Sequence, residues 1–314
     1  MSVSRNVRVA NSSLPALLSS FSRQAIRVVA CLLFCAVFGL AFMASTAMGQ
    51  PRGNLPEAPY AQFSPPDQAE GRAILTEFRG KGIAGEFFLE FVLRVLPRRG
   101  DEVVIPGRMW GGRNARGPIS RIAVKPAEGQ GRQAGETRLL VQGGATPQAW
   151  MWREGQGGRG GRMLEPEALF DRIADTDLTA FDLQMQFLYW DDFTFEGVKR
   201  LKSRPAHVFL LKPLPEIAAR QPTLKSVRVY LDTQFGALVQ AEQLGEKDQV
   251  LKVMSVVELK KIGDQWIVKS IDLRDETTRN KTRFQVTGAA LSQDFLPRVF
   301  EPGSLGEALQ PPRY

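Results

Sequence analysis

Thiols and imidazoles are almost missing from this 314-residue chain, which holds two cysteines and one histidine. Both cysteines, Cys31 and Cys35, lie inside the apolar run from Val28 to Ala44. Arg5, Arg8, Arg23 and Arg27 precede that run, and Ala44-Ser45-Thr46-Ala47-Met48-Gly49 follows it. A basic stretch, an apolar stretch and a small-residue exit predict a secretory signal peptide over residues 1–49, cleaved after Gly49 or Ala47. An uncleaved anchor is the rival, but seventeen residues is at the short limit for a bilayer span. Val28-Val29-Ala30-Cys31 loosely matches a lipobox, yet the apolar run continues well beyond Cys31, which argues against lipidation there.

Without residues 1–49 the product has no thiol, so disulfides, zinc–thiolate sites and cysteine nucleophiles are excluded. His207 alone supplies no Ser-His-Asp arrangement and no histidine metal cluster, and it sits in a strand pattern, Pro205–Phe209, that suits packing. No Walker-type loop and no Gly-x-Gly-x-x-Gly between a strand and a helix is present. Cleavage removes four arginines and no acid, so the formal charge falls from +8 to +4. The remaining cations are interspersed with acids, and no nucleic acid partner is expected. Asp191-Asp192 offers paired carboxylates for hydrolysis, although neighbours in sequence diverge in space. Asp171, Asp175 and Asp177 lack the regular calcium loop, so a solvated helix start is the better reading. The composition implies no cofactor.

Gln50 to Pro66 is rich in Pro, Gly and Ala and reads as a flexible leader. Asp67 opens a helix, with Ala69, Ala73, Ile74 and Phe78 at helical spacing. Strands are predicted over 86–96, 102–110, 119–125, 137–142 and 148–153, punctuated by Gly-rich turns. Gly155 to Arg162 is low in complexity and is expected to be a mobile hairpin tip. Leu164 to Tyr189 carries apolar residues at three- and four-residue spacing, which predicts one or two short helices with a strong apolar face. Further strands are expected over 225–232, 237–244, 250–260, 266–273 and 282–286, an antiparallel meander with one packed face. Phe87 and Phe88 are adjacent on a strand and point to opposite faces. Both faces of that strand are therefore apolar.

Trp190-Asp191-Asp192-Phe193-Thr194-Phe195-Glu196, then Arg204–Pro213, resembles the stretch after the central helix of the outer membrane lipoprotein-sorting proteins, the LolA/LolB-like superfamily. The strands at Val227–Asp232, Leu238–Glu242, Leu251–Val253 and Trp266–Val268 are similar to that family's meander. The resemblance covers roughly residues 68 to 287, and it departs from the family in the Gly/Arg-rich stretches between 106 and 162. It implies an α+β fold, an antiparallel, incompletely closed β-barrel with helices covering the concave face. The implied domains are 67–290 for lipid binding and 291–314 as a C-terminal tail. It also implies a periplasmic monomer without catalysis, binding lipoprotein acyl chains or lipid, with inner- and outer-membrane transport components as partners. Candidate pocket residues are Phe87, Leu89, Phe91, Phe181, Met185, Phe187, Val229, Leu231 and Leu251. A sensory or protein-binding module of the same fold is the alternative, and a hydrolase using Asp191 or Asp192 is a third reading.

Overall fold

A computed structural model describes residues 65–127 and 135–313. The expected signal peptide, and the leader up to residue 64, lie outside the described residues. Helix α1 (Gln68–Gly80) begins where Asp67 accepts a hydrogen bond from the Ala69 amide at 2.8 Å. Glu70 in its first turn and Arg79 in its last complement the helix dipole. The buried residues of α1 are Gly71 and Leu75, so the apolar stripe is narrower than the spacing of Ala69, Ala73, Ile74 and Phe78 predicts.

Thirteen strands form one antiparallel sheet: β1 (Glu86–Leu96), β2 (Val103–Asn114), β3 (Gly117–Val124), β4 (Thr137–Gln142), β5 (Gln148–Arg153), β6 (Arg162–Met163), β7 (Phe193–Leu201), β8 (Arg204–Leu211), β9 (Ser226–Asp232), β10 (Leu238–Leu244), β11 (Val250–Ile262), β12 (Gln265–Asp275) and β13 (Lys281–Gln293). The spatial order is β6-β5-β4-β3-β2-β1-β13-β12-β11-β10-β9-β8-β7. Two local meanders, β1–β6 and β7–β13, are thus welded by one long-range pairing, β1 against β13, from Glu86↔Gln293 to Leu96↔Lys281. The two end strands, β6 and β7, do not pair with each other. The sheet is an incompletely closed barrel, and residues 164–192 run between its free edges. Helix α2 (Ala180–Gln184) lies in that segment, and α3 (Pro215–Arg220) follows β8.

The free edge of β7 is covered by α1. The Gln68 amide donates to the Phe195 carbonyl at 2.9 Å and accepts from the Phe195 amide at 2.8 Å. Gly71 makes this approach possible, because an added Cβ would stand 2.5 Å from Phe195 Cβ.

Both faces of the sheet are dry in places, for different reasons. On the concave face, inward residues of the strands join Leu75, Leu169, Phe181, Phe187, Trp190 and Ile217 in one buried cluster. On the convex face, residues 294–313 form a strap. Val299, Phe300, Leu305 and Leu309 pack on Phe88, Trp110, Ile119, Leu140, Trp150 and Trp152. Phe88 therefore meets the strap while Phe91 and Leu93 meet the main cluster, which accounts for the two apolar faces of β1.

The glycine-rich stretch 155–162 differs from the expected mobile tip. Its backbone is fastened to the strap by Gly161 N to Pro302 O (2.8 Å) and Gly306 N to Arg159 O (2.7 Å). Trp152 Nε1 donates to Gly158 O at 3.1 Å as well. Small residues here admit the strap: a Cβ on Gly161 would lie 2.5 Å from the Leu305 side chain.

The covered concave face as candidate functional site

Segment 164–192 closes the mouth of the half-barrel with three short turns instead of one helix. Glu167–Phe170 and Gln186–Tyr189 are 3₁₀ turns flanking α2. Thr179 and Asp182 form a reciprocal capping box at the start of α2. Met185 ends α2 in the left-handed region at φ 46°, which redirects the chain so that Phe181 and Phe187 both point inward. Phe181 then lies 4.6 Å from Phe170, 5.8 Å from Phe187 and 6.2 Å from Trp190 between ring centroids. Below them the sheet presents Phe195 stacked on Phe209 (4.9 Å) and Phe91 beside Phe284 (4.5 Å). Trp190 is 2% exposed, and its indole N–H is enclosed without an acceptor.

Of the nine candidate pocket residues, Phe91, Phe181, Phe187, Val229 and Leu231 lie in the concave cluster, with Met185 packed against it. Leu89 is buried on the same face of β1 by strand parity. Phe87 is half-buried and lies over Gly111 of the neighbouring strand. Leu251 lies on the other face of β11 from Lys252 and Met254, which are the buried residues of that stretch, and it packs against Gly245 instead.

A polar latch is set into this apolar interior. Lys252, 9% exposed, reaches up from β11 and donates to the Asp177 carbonyl and to the Asp182 carboxylate. Asp182 also accepts from Thr179 N (3.0 Å), Thr179 Oγ1 (2.7 Å) and Gln243 Nε2 (2.9 Å). Next to it, Thr282 Oγ1 donates to Asp177 Oδ2 and accepts from the Asp177 amide, both at 2.9 Å. Arg172 completes the group at 3.5 Å from Asp177 and 3.4 Å from Asp275. Burial pushes the Asp177 carboxyl above its ordinary range, against the opposing pull of Thr282 and Arg172. Three different strands, β10, β11 and β13, thereby hold residues 177–182 down.

At the other end Arg79 of α1 donates to Leu188 O (2.6 Å) and Trp190 O (3.2 Å) and lies over the Tyr189 ring. Burial lowers the Arg79 pKa, partly offset by Asp191. Asp191 and Asp192 are themselves exposed, and Asp192 sits 3.7 Å from Lys212. His207 is half-buried against Phe195, 5.9 Å between ring centres, and burial holds its pKa below the usual value. Among the described residues no cluster of three His, Cys, Asp or Glu side chains suits a metal ion. Chemically, the covered face offers apolar contact and a neutralised ion pair. Lys252, Asp182 and Thr282 are not among the sequence candidates, and Asp177, weighed there with Asp171 and Asp175 as a solvated helix start, is buried instead. Lys252 was legible only as a lysine at an inward position of an alternating strand.

A family model described as an uncharacterized protein matches residues 147–307, just over half of the chain. The chain belongs to that family. The family's matched region takes in the covering segment and all of the second meander. No curated protein matches the chain. Among solved structures, a DUF1329 family protein from Desulfovibrio piger aligns with TM-score 0.63 at 13% identity, over 76% of this chain and 98% of that one. An outer membrane lipoprotein-sorting protein domain from Vibrio parahaemolyticus aligns with TM-score 0.64 at 13% identity, over 77% and 100%. A LolA superfamily protein from Nitrosomonas europaea aligns with TM-score 0.51 at 14% identity, over 73% and 96%. At these identities the likeness establishes the fold alone: this chain has the LolA-like half-barrel that the sequence resemblance implied.

Proposed function

We propose that this protein is a non-enzymatic periplasmic carrier that takes acyl chains of lipids or lipoproteins beneath residues 164–192. One observation carries the reading. Between α1 and α3, the aromatic interior of the half-barrel is covered mainly by residues 164–192. Backbone bonds tie that segment to the sheet only near its ends, Leu164 N to Ala149 O (2.8 Å) and Lys212 N to Asp192 O (2.9 Å), so its middle can swing out without breaking the sheet. Energetics permits the exchange. Each buried methylene is worth about 0.8 kcal/mol, so a 14-carbon chain brings roughly 11 kcal/mol. The entering chain takes over the apolar contacts that Phe181, Phe187 and Trp190 give up, and its burial also offsets the ~3–5 kcal/mol needed to break one buried ion pair. The likeness to a lipoprotein-sorting domain and a LolA superfamily protein supports the same reading. Native mass spectrometry after mild purification should find bound lipid, and a fluorescent acyl probe should enter competitively. A protein that is empty and takes up no probe ends the proposal.

The filled interior favours one alternative, a module that reads a partner protein at its surface and carries nothing. Transfer of labelled lipid between vesicles separates the two: a carrier accelerates it, a reader does not.

A further inference from the structure

Among the described residues, the three most exposed large apolar side chains lie together. Leu296 (62%), Trp266 (60%) and Phe235 (54%) stand highest, and the antiparallel order sets all three at one rim of the sheet. That rim holds the start of β1, the end of β13, the β9–β10 turn and the β11–β12 turn. Contacts make it continuous. Ala84 N donates to Gln265 Oε1 at 2.8 Å, Lys81 lies against Gly236, and Phe295 N donates to Glu86 Oε2 at 2.5 Å. Arg204 stacks on Phe235 at 5.3 Å.

The β11–β12 hairpin leaves its neighbouring strands at this rim. Its pairing with β10 stops at Ser255 and its pairing with β13 begins only at Ser270, so residues 256–269 form a two-stranded ribbon. Lys261 opposes Trp266 and Leu259 opposes Val268, which puts Leu259, Lys261, Trp266 and Val268 on one face of the ribbon. Lys202, Lys260 and Lys261 are exposed along the rim. Several acids there are already neutralised: Glu77 by Lys81 (2.8 Å), Asp232 by Arg204 (2.9 Å) and Glu258 by Lys269 (2.7 Å). Asp264, Asp294 and Glu86 dilute the positive charge of these lysines and of the exposed Arg113, held at the same rim by Lys81 O (3.0 Å), without cancelling it.

We infer that this rim docks peripherally on an anionic phospholipid bilayer, with Trp266, Phe235 and Leu296 at headgroup level and the lysines against lipid phosphates. Aromatic and aliphatic tips among lysines match that boundary, where an apolar body is buried and a cation stays wet. Charge complementarity selects the membrane over an apolar protein groove, because each basic residue near an anionic surface adds attraction that salt screens. The inference goes beyond the carrier reading, since docking requires no cargo.

The test uses the full chain with vesicles of phosphatidylglycerol and phosphatidylethanolamine carrying brominated acyl chains. Comparison with Trp266→Phe isolates the Trp266 emission, so any membrane contact elsewhere in the chain does not count. Bromolipid should quench Trp266 on anionic vesicles. The double variant F235S/L296S should weaken that quenching roughly tenfold or more, and K202E/K260E/K261E should abolish its dependence on salt. These positions are exposed, so circular dichroism should be unchanged. Trp266 emission indifferent to bromolipid overturns the proposal, as does equal quenching on neutral and anionic vesicles. Shielding of Trp266 in concentrated protein without lipid would assign the rim to a second copy and overturn it as well. The readout involves no cargo uptake, so a protein that docks while remaining empty refutes the carrier and leaves the docking rim standing.

Discussion

Replacing Lys252 by Met tests whether the covering segment is held by its polar latch or by apolar packing alone. The substitution keeps the stem volume and removes the charge from a side chain 9% exposed. Asp182 is then left with its Thr179 and Gln243 donors and no cation. Removing one partner of a buried ion pair costs about 3–5 kcal/mol, and three surviving neutral hydrogen bonds put this case at the lower end, about 3 kcal/mol. Because residues 177–182 belong to the segment and not to the sheet, the loss should appear as local opening. At 1.4 kcal/mol per decade, amide exchange over 172–190 should accelerate roughly 100-fold, while exchange in β1 and β13 changes far less. Asp182→Asn added to Lys252→Met should cost less than the sum of the single changes, since the second no longer strands a charge. Hydrogen exchange by mass spectrometry and urea unfolding supply both numbers. A cost below about 1 kcal/mol, or acceleration spread evenly over the strands, would refute the latch.

Three further outcomes are expected. Gly107→Val should destabilise by about 1–3 kcal/mol in urea, because a Cβ there would meet the Phe91 ring at 2.3 Å; a neutral result would mean the ring is free to move. Arg121→Met should free the strap, since Arg121 donates to Val299, Ser304, Leu305 and Glu307 from a buried position; limited proteolysis should cut within 294–313 while strands β7–β13 stay protected. Tyr230, hydrogen-bonded to Glu242 at 3.2 Å, has its pKa pushed up to about 12 by burial and by that carboxylate. A folded pKa above the unfolded value of about 10 gives stability that is complete below pH 10 and lost as pH rises through about 12. Tyr230→Phe should therefore flatten the alkaline decline in stability between those pH values, and an unchanged slope would refute the assignment.

Much of the sheet was legible because its strands obey local rules. Glu86–Leu96, Thr137–Gln142 and Gln148–Arg153 have the bounds that β-branched and aromatic density predicts. The end of β13 was not. Sequence signals end at Val286 because Gly288-Ala289-Ala290 has little strand propensity, yet pairing with β1 and cover from Val299 keep the strand extended to Gln293. Helix α3 escaped notice because six residues after a proline give too short a period to detect. In the candidate site, Phe181 and Phe187 were found by their apolar spacing, whereas Leu251 was put on the wrong face. Lys252 breaks the alternation of β11, and only the partner it meets from a distant segment, Asp182, explains a lysine pointing inward. Glycines 107 and 111 are similar: their meaning lies across the strand pair, under Phe91 and Phe87.

The weld between β1 and β13 has a consequence for biogenesis. Neighbouring hairpins can zip up as the polypeptide emerges, but the hydrogen-bonding rail of β1 stays bare until nearly two hundred more residues have been made. During that wait the nascent product carries an aromatic ribbon open to stray pairing, so chains shortened ahead of Lys281 should clump instead of leaving a smaller folded remnant.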